Sequence, residues 1–189
     1  MDSRTLSALL LISSPIIIIV FWMLLGPDGG DVISVKYAYG MGTLGGLFMV
    51  VGLSLMKDEM AGGAGAHYAQ MGVLLLVLGL SAGIVESALV IVSAEAASPE
   101  HTALFAGAAQ GVGSLTTAIA MLGLAVVGIA FLVQKNVHVI LSALLTIVGI
   151  VGVVAAATSY DNDNVMMVPY IGMMISSLAL GIIRIRTKA

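Results

Sequence analysis

The sequence contains no cysteine. Disulfides, thiolate metal sites and cysteine nucleophiles are therefore all excluded. Charge is nearly as scarce, at 9% of 189 residues, where a soluble domain carries roughly a quarter. Only seven residues are basic, they are scattered or terminal, and the net charge is −3. Nothing in that pattern would hold a phosphate backbone, so nucleic acid is excluded as a partner. Aromatic residues make up 5%, and prolines number four. What remains is apolar: 60% of the chain is hydrophobic, with a mean hydropathy of +1.14. A chain of this kind is stable only with lipid as its solvent. It is long enough for a single transmembrane domain, 1–189, and too short for a separate soluble one.

A membrane-spanning helix needs about 20 mostly apolar residues. Six segments qualify, at about 6–25, 37–56, 71–92, 102–133, 137–158 and 165–183. The expected fold is all-α, a bundle of six transmembrane helices with short loops. Breaks between the segments are rich in turn formers, as in Gly26-Pro27-Asp28-Gly29-Gly30-Asp31 and Tyr160-Asp161-Asn162-Asp163-Asn164. The first segment follows Arg4 but is long and lacks a small-x-small cleavage pattern, which reads as a retained helix. Pro15 inside it frees a backbone carbonyl, tolerable in a membrane when a neighbouring helix compensates. Trp22 near its end is a candidate interface anchor.

Charge gives a second view of the same topology. With six spans, Arg4, Lys57, Lys135, Arg184, Arg186 and Lys188 fall on one side and only Lys36 on the other. The positive-inside rule then places both termini in the cytoplasm, with the protein in the cell membrane. No internal repeat is evident: Pro15 has no counterpart in the fourth span, and Glu86 none in the sixth.

Glu86 is the only acidic residue inside any apolar span. It lies twelve residues before Ser98, and Gln110 lies twelve after it, so an antiparallel hairpin turning at Ser98 brings both to similar depth. Gly79 and Gly83 share the face of Glu86; Gly107, Gly111 and Ser114 lie near Gln110. Both stretches contain a GxxxG pair, as does the second span at Gly42 and Gly46. Such pairs are expected to be helix-packing faces, because small residues let backbones approach. Lipid disfavours a lone carboxylate, so a neutral, protonated Glu86 hydrogen-bonded to Gln110, Ser114 or a partner subunit is expected.

Other patterns carry less. Gly79-Leu80-Ser81-Ala82-Gly83 matches GxSxG, and six spans with such a serine bring the intramembrane rhomboid proteases to comparison. Those enzymes also need a histidine in their last membrane helix, and the sixth span has none. The rotary-ATPase proteolipids fail in detail too, because their Gly-x-Gly-x-Gly run is missing. Met166, Met167, Met173 and Met174 could offer thioethers to Cu(I), but methionine is ordinary apolar filler. Asp161 and Asp163 lack the remaining ligands of a calcium loop. No catalytic constellation converges, and no cofactor or metal is called for. Two functions survive: a non-catalytic subunit of a larger membrane complex, docking other subunits or copies of itself through its glycine faces, or a small proton- or cation-coupled transporter or channel using Glu86.

Overall fold

A computed structural model describes residues 1–23 and 31–186. The turn at 26–30, the end of the first expected span and Lys188 lie outside the described residues. Six helices follow in order: α1 (Ser3–Trp22), α2 (Val32–Asp58), α3 (Ala66–Glu95), α4 (Pro99–Gln134), α5 (Val139–Ser159) and α6 (Asp163–Arg186). Each is long and apolar enough to cross a membrane. The chain is a multi-pass membrane protein, and its fold is the expected six-helix bundle.

The helix ends follow from local chemistry. Asp31 caps α2, its side chain accepting from the Ser34 amide at 2.7 Å. Ser98 caps α4 through the His101 amide, with Pro99 in the first turn, where a missing N–H costs nothing. Lys135 ends α4 in the left-handed conformation, at φ 57.

Side chains are distributed as lipid requires. Large aliphatics look outward, among them Leu74 and Leu78 of α3 and Ile147, Ile150 and Val154 of α5. Several small hydroxylated residues are buried: Ser7, Ser142, Ser176 and Ser177. With no hydrophobic drive between helices in lipid, close packing and interhelical hydrogen bonds hold the bundle. Helices adjacent in sequence pack together, and α6 returns to α1 to close the ring.

The closing seam shows how a sequence defect is compensated. Pro15 lacks an amide hydrogen, which frees the carbonyl of Leu11 four residues earlier. The Ser177 hydroxyl of α6 donates to that carbonyl at 2.9 Å. Ser7 donates to the Gly52 carbonyl of α2 at 2.8 Å. At the end carrying the termini, Arg184 grips the Glu59 carboxylate with two nitrogens, at 3.1 and 2.6 Å. Arg4 donates to the Arg184 carbonyl at 3.2 Å.

Candidate functional site

The α3–α4 hairpin is built on a seven-residue stripe. Gly72, Gly79, Glu86 and Ser93 recur every seventh position of α3, the period that keeps one face against a partner helix. A Cβ at Gly72 would lie 2.8 Å from the Val127 amide nitrogen and 2.9 Å from the Gly123 carbonyl. A Cβ at Gly79 would lie 2.9 Å from the Ala120 backbone. Ser93 donates to the Thr102 carbonyl at 3.0 Å. Glu86 thus stands where the stripe otherwise uses small residues. Its carboxyl lies over Gly113 of α4, in space that a Cβ there would fill.

Tyr160, the residue that caps the end of α5, reaches the same point. Its hydroxyl donates to Glu86 Oε1 at 2.5 Å, and both groups crowd onto Gly113. Behind it, the Thr117 and Tyr170 hydroxyls pair at 3.2 Å. The Tyr170 ring meets Trp22 edge to face, with centroids 5.8 Å apart. On the other flank, Ser87 and Thr43 link α3 to α2 at 3.3 Å. Residues from α2, α3, α4 and α6, with Tyr160 at the end of α5, therefore converge around one carboxyl.

That carboxyl is not sealed into the packing. Glu86 is half-buried and lines a cavity of about 700 Å³. The cavity runs from Asp161 and Asp163, at the end opposite the termini, to the buried Met49 and Met121 in the interior. Trp22, Tyr39, Tyr160 and Tyr170 all line it. Among the described lining residues there is no lysine, arginine or histidine. Glu86 lies nine residues inside the end of α3 at Glu95, about 13 Å at 1.5 Å per residue.

No family model, curated protein or solved structure matches this chain. Its chemistry is read from the site alone.

The other residues singled out from sequence fall as follows. Gln110 lines the same cavity as Glu86, but the hydroxyl of Tyr160 is what holds the carboxyl. Ser114 donates to the Ala156 carbonyl of α5 at 2.7 Å, tying α4 to α5. Gly79 packs against Ala120, Gly46 lies tight under Leu80, whose Cδ1 would be 3.1 Å from a Cβ there, and Gly42 is near Trp22. Gly83, Gly107 and Gly111 correct the expectation that every GxxxG pair is a packed face within this chain. A Cβ at any of the three meets nothing within 4 Å. Gly111 is two residues from Gly113, about 160° round the helix at 3.6 residues per turn, so it points away from α3. Gly83 faces the cavity. Of the methionines, Met166, Met173 and Met174 line the cavity, while Met167 is exposed on the outside. Among the described residues no group of His, Cys, Asp and Glu could hold a metal ion.

The sequence places Gly113 on the small-residue face of Gln110, but neither its contact with Glu86 nor the part of Tyr160 is legible there. In sequence Tyr160 opens a polar loop, and its bond to Glu86 spans 74 residues. The stripe at 72, 79, 86 and 93 was the available signal. It puts Glu86 on the seam and asks for a small residue opposite.

Proposed function

We propose that this chain is a small transporter or channel of the cell membrane, in which Glu86 is an intramembrane acid that takes up and releases protons or cations. The observation that carries this reading is that the carboxyl, which lies on the α3–α4 seam over Gly113, also opens into a cavity. Acids within membrane spans are costly to bury and commonly mark ion pathways. The basic-residue bias supports cytoplasmic termini, and in that orientation the cavity opens outward. Lys36, near the start of α2 at the same end of the bundle, is paired with Glu95. Asp161 and Asp163 at the rim are left to favour positive charge.

The test is proton flux into proteoliposomes loaded with a pH dye. Glu86→Gln keeps the shape and hydrogen-bonding capacity of the side chain, so it should assemble normally and lose the flux. Equal flux in both proteins refutes the reading.

A second reading, an accessory subunit of a larger complex, is supported by one surface. Leu104, Gly107, Gly111 and Leu115 form an exposed face of α4, of the kind against which another helix packs closely. Copurification at fixed stoichiometry with larger subunits supports it; an isolated homo-oligomer or monomer argues against it.

A further inference from the structure

We infer that the cavity beside Glu86 binds an organic monocation, an amine or quaternary ammonium, with Glu86 as its counter-ion and Trp22, Tyr39, Tyr160 and Tyr170 as its aromatic cage. The inference rests on the reading of Glu86 as an ion-handling acid and names the class of ion. Aromatics are 5% of the chain, yet four of them line this one cavity. Aromatic rings attract cations through their quadrupole, most strongly where water is excluded.

The alternatives fit less well. An inorganic ion needs several oxygen ligands converging on one point, and among the described residues no such carboxylate or histidine group exists. The deep wall is instead thioether and aliphatic, with Met49, Met121 and Met173. A neutral apolar guest would leave Glu86 without purpose, and an anion would meet Glu86, Asp161 and Asp163 with no base among the described lining residues. The volume of about 700 Å³ lies within the range of sites for small organic ligands. Where Glu86 meets the guest protonated, the arriving cation displaces that proton to water, and the charge of the site is unchanged.

Trp22 is the only tryptophan and lines the cavity, so its fluorescence reports occupancy. The probe is tetraphenylphosphonium, titrated into the purified full chain in maltoside micelles; tetraphenylborate, of the same shape and opposite charge, is the control. The expected result is saturable quenching by the cation, weakened at least about tenfold in Glu86→Gln and about fivefold in Tyr39→Leu. The borate should give no saturable signal. Gly83→Leu is a second variant: a Cβ at position 83 meets nothing within 4 Å, the rest of the side chain enters the cavity, and binding should be blocked while the elution profile of the folded chain stays unchanged. Absence of saturable binding, equal binding of the borate, or unchanged affinity in Glu86→Gln overturns the inference. If binding fails while proton flux still depends on Glu86, the class of ion is wrong and the transport reading stands. If the cation binds through Glu86 while flux ignores it, the transport reading falls and the cation site stands.

Discussion

Gly79 and Gly83 lie one turn apart on α3, and replacing each in turn by alanine separates packing from helix propensity. Both substitutions remove a glycine from a helix interior, a gain of about 0.5–1 kcal/mol that is common to the two. They differ in what the new methyl meets. At position 79 it would sit 2.7 Å from the Ala120 Cβ and 2.9 Å from that residue's backbone, neither of which can rotate away. At position 83 it meets nothing within 4 Å. Overpacking a close contact costs about 1–3 kcal/mol. The difference between the variants is that cost alone, because the propensity gain cancels. For a chain of this size about 2–4 °C of Tm accompanies each kcal/mol, so Gly79→Ala should melt about 2–12 °C below Gly83→Ala. Thermal unfolding in a single detergent, followed by loss of the monodisperse elution peak, measures it. Equal melting temperatures would show that α3 and α4 do not approach closely at this level, and the seven-residue stripe would lose its meaning.

Two further outcomes follow from the topology and the site. Single cysteines at Ser3 and Asn162 should label with impermeant maleimide from opposite faces of the membrane; labelling from one face defeats the six-span arrangement. Gly113→Ala places a methyl where the Glu86 carboxyl and Tyr160 hydroxyl now meet. Because both are ends of flexible side chains, the helices should stay in place while the carboxyl infrared band of Glu86 shifts. An unchanged band means that Glu86 does not lie over Gly113.

The fold was legible because membrane insertion is a local property. The expected fourth span at 102–133 became Pro99–Gln134, and the fifth at 137–158 became Val139–Ser159. Run length and polar breaks settle such limits without reference to the rest of the chain. The position of Glu86 within its helix was equally plain, since one charge in an apolar run needs no alignment to be noticed. Its surroundings were not. Tyr160 comes from the end of another helix, and its side chain enters the site only because α5 packs on α4 through contacts such as Gly149 against Ala125. A GxxxG pattern likewise states that a helix has a small-residue face but not which way that face points. Gly79 and Gly111 both belong to such pairs, and one is clamped while the other stands open.

The bond between Ser177 and Leu11 has a consequence for how the protein is made. Its donor is synthesised 166 residues after its acceptor. Until α6 arrives, the first helix carries a carbonyl that Pro15 has deprived of its own donor. In hydrocarbon such a group has no water to turn to. A nascent chain halted before Ser177 is therefore marked by a polar lesion in its first helix. Completion of the sixth helix removes it, so the last helix to be made closes a polar defect in the first.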